Sequence, residues 1–270
     1  MSVYICYGIT KSASTFLYQL VEEVLSVANR RPLLLGRPLR LHALVENYFD
    51  EITPGLLFSI SKQAGDRDVV LKTHQSVHPD VATFIEAGTV LACASIRDPR
   101  EIALSMLDHG RRTRRRGLPE FSEFHDLKDT LGSLDQQIKN FRSWSALERV
   151  RVFNFNEICF DTSSVVNHIA EQIGVTVSAA DVLKPFRNNR GIGQFSKGAA
   201  LRYTEMDLEH QTIFLQRYAS IYRDYSFDTP AAVRAALSQR GRMRHPKGEL
   251  GQKLIEYRRR IRRIFAGDYR

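Results

Sequence analysis

One segment, residues 7–16, constrains the fold more than any other because it joins an apolar run to a helical pattern. Residues 3–7 form the kind of short apolar run that becomes a buried parallel strand, and residues 15–28 carry apolar side chains at helical spacing. A loop of small and hydroxyl residues between a strand and a helix directs unpaired backbone N–H groups, the helix dipole and Lys11 at one point. The segment therefore predicts an anion-binding loop.

Two later apolar runs also end in polar residues and pass into helices. The run that ends in Lys72-Thr73-His74 is followed by a predicted helix over residues 79–87, which begins at a proline. The run over residues 89–96 is followed by Arg97-Asp98-Pro99 and a predicted helix over residues 100–109. Ligands of open α/β sheets bind outside the carboxyl ends of the strands, so we expect these strand ends to form one site.

The rest of the chain predicts the remaining elements of an α/β domain. We expect a fourth strand at residues 150–155, helices at residues 41–49, 127–147, 163–173 and 208–222, a basic loop at 111–117, a Gly-rich loop at 191–198 and a basic amphipathic helix from residue 250. The pattern predicts a single α/β domain with a mainly parallel central sheet and helices on both of its faces.

Composition narrows the class of protein. A chain of 270 residues that is 43% hydrophobic can bury one sizeable core. Its formal net charge of +9 is concentrated in residues 111–116 and 247–270, so the rest of the chain is nearly neutral. The three cysteines lie far apart in apolar runs, which favours reduced thiols and a cytoplasmic location. No secretory signal and no membrane-spanning run is predicted.

Three motifs, in this order and spacing, resemble those of the sulfotransferase family that uses 3′-phosphoadenosine 5′-phosphosulfate (PAPS). The loop Thr10-Lys11-Ser12-Ala13-Ser14-Thr15-Phe16 is similar to the family's Pro-Lys-Ser-Gly-Thr-Thr-Trp. Lys72-Thr73-His74 matches a Lys-Thr-His strand end, and Arg97-Asp98-Pro99 with Ser105 matches Arg-(Asn/Asp)-Pro with a serine eight residues after the arginine. The resemblance implies a P-loop NTPase-like sulfotransferase domain over residues 1–245, followed by the basic helix of residues 246–270.

The resemblance also implies what each motif does. The family moves a sulfuryl group from PAPS to an acceptor hydroxyl or amine by in-line attack without a metal, and His74 would be the general base. Lys11, Lys72 and Ser105 would join it as catalytic residues, and a contact between Ser105 and Lys11 is expected. The residues expected to bind PAPS are Lys11, Ser12, Ala13, Ser14, Thr15, Phe16, Arg97, Ser105, Lys197 and Gly198.

Some positions depart from the family pattern. Thr10 and Phe16 stand where the family has proline and tryptophan, and Phe16 keeps an aromatic face for the adenine. Ala13 stands where the family has glycine, which matters if the backbone needs a positive φ there. In the late loop, Lys197-Gly198 competes with Asn189-Arg190-Gly191 for the second contact to the 3′-phosphate. The histidines other than His74, His109 among them, are expected to be structural.

Alternatives stay open. One is a kinase-like P-loop enzyme, although the loop departs from the Walker A pattern and no Mg²⁺-binding carboxylates are apparent. Another is a sulfotransferase-like scaffold that binds nucleotide without turnover. A nucleic-acid-binding protein is disfavoured because the basic residues are not interleaved with aromatic ones.

The expected partner is a small-molecule or glycan acceptor. The arginines of residues 111–116, as a solvated loop or a lid, favour an anionic one. The basic tail is expected to pack on the body or a second subunit of a monomer or homodimer, with contact to an anionic membrane surface as a minor alternative.

Overall fold

Four parallel strands form the central sheet. The computed structural model describes residues 2–35, 47–187, 191–193 and 198–241. The strands are β1 (Val3–Gly8), β2 (Val69–Thr73), β3 (Val90–Ile96) and β4 (Arg151–Asn154). They pair in the order β2–β1–β3–β4, and the register aligns Tyr7 of β1 with Thr73 of β2 and Ala94 of β3. The carboxyl ends of the three strands that carry the motifs therefore lie side by side.

The strand order explains where a ligand would bind. From β1 the chain continues to β2 on one side, and then crosses back to β3 on the other side of β1. Such a change of direction opens a crevice at the carboxyl end of the central strand, which is where open α/β sheets bind their ligands. β1 and β2 are buried along their whole length, as near-continuous apolar strands covered on both faces must be.

Eleven helices surround the sheet within the described residues. They are α1 (Ser14–Val27), α2 (Pro54–Ala64), α3 (Pro79–Glu86), α4 (Pro99–Arg114), α5 (Thr130–Ser145), α6 (Phe155–Phe160), α7 (Thr162–Ile173), α8 (Ala179–Leu183), α9 (Leu208–Arg217), α10 (Ala219–Asp224) and α11 (Pro230–Gly241). Short 3-10 turns occupy Lys184–Phe186 and Arg202–Glu205.

The two faces of the sheet build two apolar cores. On one face, Tyr4 and Cys6 pack with residues of α1 and α7, such as Leu20 and Ile169. On the other face, Ile5 packs in a larger core with residues of α2, α3, α4 and α5. Alternate residues of β1 thus serve opposite cores, as strand geometry requires. The predicted sheet with helices on both faces is confirmed.

The structure corrects several predicted boundaries. Helix α4 continues to Arg114, so the predicted basic loop of residues 111–117 begins with the last turn of a helix. Arginine is a good helix former, and cations are stabilised at a helix C-terminus. The single helix predicted over residues 208–222 is two helices, interrupted at Tyr218. Residues 47–49, expected to be helical, instead lie beside β2, where Tyr48 bridges to Lys72.

The structure also bears on the predictions about the cysteines, membrane-spanning segments and the C-terminal residues. Cys6, Cys93 and Cys159 are free, as expected. No helix in the described ranges has both the length and the hydropathy needed to cross a membrane. The basic helix predicted from residue 250 and the domain boundary at residue 245 lie outside the described residues.

Candidate functional site

An open cavity of about 1060 Å³ lies at the carboxyl ends of the strands. The loop after β1, the end of β2, one face of α4 and the segment before α11 all contribute to its walls. Of the residues predicted to bind or react, the cavity is lined by Lys11, Ala13, Ser14, Thr15, Phe16, His74, Arg97, Ser105 and Gly198. Residues that are far apart in sequence therefore meet in one place, as the strand-end prediction required.

The loop between β1 and α1 turns through two left-handed residues. Lys11 has φ 67° and Ala13 has φ 66°, and neither is glycine. A side chain in this region is sterically disfavoured by about 1–2 kcal/mol. Gly8, just before the loop, is tightly enclosed, since a Cβ there would lie 2.3 Å from Ser95 Oγ and 2.4 Å from Ser14 Cβ. The open question about Ala13 is therefore answered: its backbone does adopt the positive φ.

The N-terminus of α1 is uncapped. No side chain accepts a hydrogen bond from its first turn, whereas Asp98 caps α4 and Thr53 caps α2. Within the described residues, the N–H groups of Ser14, Thr15 and Phe16 have no acceptor, because the first bond inside the helix is from Leu17 N to Ala13 O. Unpaired N–H groups at a helix N-terminus bind anions, and these border the cavity.

Ser12, expected to bind the cofactor, serves the loop instead. Its side chain is fully buried and does not line the cavity. Its hydroxyl donates to Ile9 O at 2.5 Å and lies 2.7 Å from Ser95 Oγ on β3, while its N–H also bonds to Ile9 O. The hydroxyl of Ser12 therefore connects the loop to the sheet.

Lys11 points across the cavity to α4. Its ammonium contacts His109 Nδ1 and lies 4.5 Å from the centre of the Phe121 ring. Burial lowers the pKa of Lys11 to about 8, and the positive charges of Arg112 and Lys72 act in the same direction. An anion beside the ammonium would relieve both effects, so this position favours an anionic ligand.

His109 lines the cavity, although the sequence predicted only a structural role for it. Burial, together with the charges of Lys11 and Arg112, lowers the pKa of its imidazole to about 4, so the neutral ring can accept a hydrogen bond from Lys11. The expected contact between Lys11 and Ser105 is absent, because the lysine binds His109 instead. Ser105 makes no hydrogen bond to any described residue. His109 lies four residues after Ser105, on the same helix face, which is the signal that could have found it.

His74 follows the last residue of β2 and lines the cavity. Its Nδ1 lies 2.5 Å from the carbonyl oxygen of Gly8, so Nδ1 carries the proton and Nε2 is the basic nitrogen. Burial, together with the charges of Lys72 and Lys11, lowers the pKa of His74 to about 4, against the raising effect of the hydrogen bond to the Gly8 carbonyl. The ring is therefore neutral at physiological pH and able to take a proton.

Lys72 lies beneath the loop and does not line the cavity. It is buried, and its ammonium donates to Thr15 Oγ1 at 2.5 Å. Its positive charge lowers the pKa of both Lys11 and His74. Its expected direct contact with the transferred group would need the hydroxyl of Thr15 to give way.

Arg97 joins three parts of the site. Its Nε donates to Glu101 at 2.9 Å in a buried ion pair, its Nη1 lies 3.4 Å from Lys11 O, and its Nη2 lies 3.3 Å from Ala199 O. The guanidinium also stacks 3.7 Å over the ring of Phe155. Burial raises the pKa of Glu101, and the charge of Arg97 opposes that shift. The ion pair fixes Arg97 with its remaining N–H groups at the cavity wall.

An aromatic pair forms one end of the cavity. Phe16 and Phe186 meet edge to face with ring centres 5.3 Å apart, and both line the cavity. Sequence reasoning found Phe16 from its motif, but Phe186 lies in a 3-10 turn with no local signal for a ligand. The two rings are in direct contact, so a flat apolar group would pack against the side of this pair that faces the cavity.

Two glutamine side chains hold the backbone of the late loop. Gln19 on α1 accepts from Gly193 N at 2.9 Å and donates to Gly191 O at 3.0 Å. Gln239 on α11 accepts from Ala200 N at 3.1 Å and donates to Gly198 O at 3.1 Å. Gly198 is thus at the cavity, as expected, whereas Lys197 and the competing Asn189-Arg190 lie outside the described residues.

Comparison with known proteins identifies the fold. No protein-family model and no curated protein sequence matches the chain. Retinol dehydratase in a complex with retinol and PAP aligns with a TM-score of 0.58 and 16% identity over 85% of this chain and 83% of its own. Its complex with androsterone and the inactive cofactor PAP gives 0.55 and 16% over 85% and 82%.

A second protein has the same architecture. Mouse sulfotransferase SULT7A1 complexed with PAP aligns with a TM-score of 0.54 and 12% identity over 87% of this chain and 89% of its own. These identities are low, and the similarity is one of fold. The predicted fold is confirmed: the chain has the P-loop-like sulfotransferase fold.

Proposed function

We propose that this chain is a sulfotransferase, which moves a sulfuryl group from PAPS to an acceptor hydroxyl or amine. The observation that carries the proposal is the uncapped N-terminus of α1, which faces the same cavity as Lys11, His74, Arg97 and Ser105. The similar folds were solved with PAP, the nucleotide that remains after sulfuryl transfer, and this supports PAPS as the cofactor.

The residues present fit this cofactor. The unpaired N–H groups of Ser14, Thr15 and Phe16 suit the 5′-phosphosulfate, and the depressed pKa of Lys11 indicates a cation that gains from a nearby anion. The aromatic surface that Phe16 and Phe186 present to the cavity suits the adenine. Arg97 and Ser105 provide a planar donor group and a free hydroxyl for the 3′-phosphate, as the family motif implies.

Bound PAPS would supply the activated sulfuryl group, and the protein's part is positioning and charge stabilisation. Sulfuryl transfer is similar to phosphoryl transfer in this respect. The N–H groups at the start of α1 would hold the departing phosphate, and Lys11 would neutralise its developing charge on leaving His109. Lys72 would act from beneath, through Thr15.

His74 would take the proton of the attacking acceptor. The hydrogen bond from Nδ1 to Gly8 fixes the tautomer, so Nε2 is the nitrogen that accepts. The depressed pKa means that the base is already unprotonated at neutral pH. A base with a low pKa is a weak one, so His74 would act late, when the attacking oxygen has become acidic through bonding to sulfur.

The remaining assignments of the chain follow from this function. Lys197 and Gly198 would complete the 3′-phosphate site, and Gln239 donates a hydrogen bond to Gly198 O. The free thiols favour a reducing, cytoplasmic environment. The catalytic domain would span residues 1–245, its acceptor would be a small molecule or glycan, and the protein would act as a monomer or homodimer.

Isothermal titration with PAP tests the proposal. We expect PAP to bind at least about tenfold more tightly than adenosine 5′-monophosphate, because only PAP has the 3′-phosphate. Arg97→Ala should remove most of that preference, while Arg111→Ala, which removes a charge on the same helix outside the cavity, should keep it. Failure of the wild-type protein to bind PAP, or tighter binding of ATP than of PAP, would refute the proposal and favour the kinase-like alternative.

A further inference from the structure

One face of α4 forms a wall of the cavity. Ser105, His109, Arg112 and Arg116 all line it, and they are spaced four, three and four residues apart. This is the spacing of a single helix face, and the turn after α4 keeps it, because Arg116 N bonds to Thr113 O. Along the direction of the chain, this wall therefore presents a hydroxyl, then an imidazole and then two guanidinium groups to the cavity.

The five arginines of residues 111–116 divide into separate groups. Arg112 and Arg116 line the cavity, and Arg111 and Arg115 do not. Arg114 is structural, since its Nη1 donates to Ser122 O at 2.7 Å and to Phe124 O at 2.8 Å. Neither Arg112 nor Arg116 makes a hydrogen bond or an ion pair with a described residue. These two arginines are therefore exposed cationic side chains at the cavity, without a partner in the part of the chain that the structure describes.

The turn that carries Arg116 is fixed to the helix. Thr113 Oγ1 donates to Glu120 O at 2.7 Å, and Arg114 holds the following carbonyls. Gly110 permits this close packing, because a Cβ there would lie 2.2 Å from Phe121 O. The segment predicted as a solvated loop or a lid is thus a helix end followed by a turn, and Arg111, Arg112, Arg115 and Arg116 are exposed on it.

The order of residues along α4 gives the position of the two arginines relative to the reaction. Ser105 belongs to the proposed 3′-phosphate site, and His109 contacts Lys11, which would stand at the transferred group. Arg112 lies seven residues beyond Ser105, or about 10 Å along the helix axis, and Arg116 lies a further turn away. The arginines thus lie past the Lys11 contact and away from the proposed 3′-phosphate site, in a part of the cavity that the phosphates of the nucleotide would leave to the acceptor.

The charge balance of this end of the cavity is positive. Arg202 also lines the cavity, but Asp108 and Glu205 bind it, as Glu101 binds Arg97. Glu120 is the one acidic side chain that lines the cavity among the described residues, and it is exposed. Two guanidinium groups and one carboxylate leave a net positive charge at this end of the cavity. An anionic acceptor would be attracted by that charge, and a neutral acceptor would not.

We infer that Arg112 and Arg116 form an anion-binding site for the acceptor, which carries a carboxylate, sulfate or phosphate group besides the hydroxyl or amine that is sulfated. Guanidinium groups bind such anions in planar, paired hydrogen bonds. Leu118 and Phe121, which line the same end, give the acceptor an apolar surface beside the charge. This inference rests on the proposed function and names the substrate class that the site would select.

Calorimetry on the PAP-saturated protein tests the inference. The probes are two hydroxyl compounds, each as a carboxylate and as its neutral amide: 4-hydroxyphenylacetate with 4-hydroxyphenylacetamide, and glucuronate with glucuronamide. On at least one scaffold we expect the carboxylate to bind about tenfold or more tightly than the amide. The double variant Arg112→Ala/Arg116→Ala should lose this preference, whereas the control Arg111→Ala/Arg115→Ala, which loses the same charge outside the cavity, should retain it.

The outcomes separate the inference from the proposed function. Normal PAP binding with no preference for the carboxylate on either scaffold would overturn the acceptor site alone. A preference that both double variants keep equally would do the same. If Arg112→Ala/Arg116→Ala lost PAP binding itself, the two arginines would belong to the cofactor site. Failure of the wild-type protein to bind PAP would refute the proposed function, and the inference with it.

Discussion

At the residue scale, the electrostatic environment of the cavity lowers the pKa of Lys11. Burial and the neighbouring charges of Arg112 and Lys72 lower its pKa to about 8, and in the absence of an anion it contacts His109 and Phe121. Its position thus combines an environment that is unfavourable for a cation with a neutral imidazole that accepts its hydrogen bond. Such a side chain gains more from a bound phosphate than an exposed lysine would.

The first prediction concerns the pH dependence of PAP binding. Below about pH 8 Lys11 is charged and binds the anion, and above it the free protein loses that proton, so binding must take up a proton. We expect the affinity for PAP to be steady towards neutral pH and to fall, by up to about tenfold per unit, as the pH rises through 8. Titrations between pH 7 and 9.5 measure this.

A pair of lysine variants provides the control for that prediction. Lys11→Met should bind PAP weakly and without the decline above pH 8. Lys62→Met, which removes an exposed cation on α2, should behave as the wild type. An affinity that stays constant through pH 8 in the wild-type protein would contradict the role of Lys11.

Ala13 gives a prediction about backbone strain. Its φ of 66° costs a non-glycine residue about 1–2 kcal/mol, and glycine avoids that cost while losing more entropy on folding. We expect Ala13→Gly to raise the free energy of unfolding by about 0.5–1 kcal/mol in denaturant titrations and to keep PAP binding. Ala28→Gly, at φ −76°, is the matched control and should be neutral or destabilising. Destabilisation by Ala13→Gly would mean that packing of the alanine methyl group contributes more to stability than the positive φ costs.

At the scale of elements, the junction of β1, β3 and α1 decides whether the anion loop forms. A Cβ on Gly8 would overlap Ser95 on β3 and Ser14 at the start of α1. We expect Gly8→Ala to displace the N-terminus of α1, to abolish measurable PAP binding and to destabilise the fold by about 2 kcal/mol or more. Gly132→Ala is the control: Gly132 lies in α5 with nothing within 4 Å of a Cβ, so the change should stabilise slightly. Normal PAP binding by Gly8→Ala would show that the junction tolerates a methyl group.

Elements with a strong local pattern could be predicted from the sequence, and those without one could not. Strands β1, β2 and β3 were found because buried parallel strands are continuous apolar runs, whereas β4 was found from the shorter run around Phe153. Helix α2 was missed although Thr53 and Pro54 are a regular helix start, because its own apolar pattern is weak and Phe58 is exposed. Helix α6 has a capping box between Asn154 and Glu157, but six residues are too short for periodicity to register.

The residues of the candidate site also divide into those that could be predicted from the sequence and those that could not. Its strand-end residues could be predicted, because topology places the ends of neighbouring parallel strands together. Phe186, Gln19 and Gln239 could not, since each acts through a contact with a segment distant in sequence. Ser12 and Lys72 show the converse: motif position predicted direct contacts, but burial assigns their side chains to holding the loop. Motifs indicate which residues cluster, and packing decides which of them face the ligand.

At the scale of the whole molecule, the strand order and the hydrogen bonds of two glutamine side chains form the cavity. The change of chain direction at β1 opens the crevice, and α4 forms one wall from the proposed 3′-phosphate site to the proposed acceptor site. Gln19 from α1 and Gln239 from α11 hold backbone on either side of residues 194–197. The N-terminal and C-terminal parts of the described chain therefore both contribute to one site.

The central claim is sulfuryl transfer with His74 as the base. The most direct measurement incubates radiolabelled PAPS with a pool of hydroxyl and amine acceptors, anionic and neutral, in the presence of wild-type protein or His74→Ala, and follows label in new products. We predict labelled product from the wild type and at least about 100-fold less from His74→Ala, with PAP affinity unchanged by calorimetry. A wild-type protein that binds PAP but labels no acceptor, or a His74→Ala variant that transfers as fast as the wild type, would contradict the account.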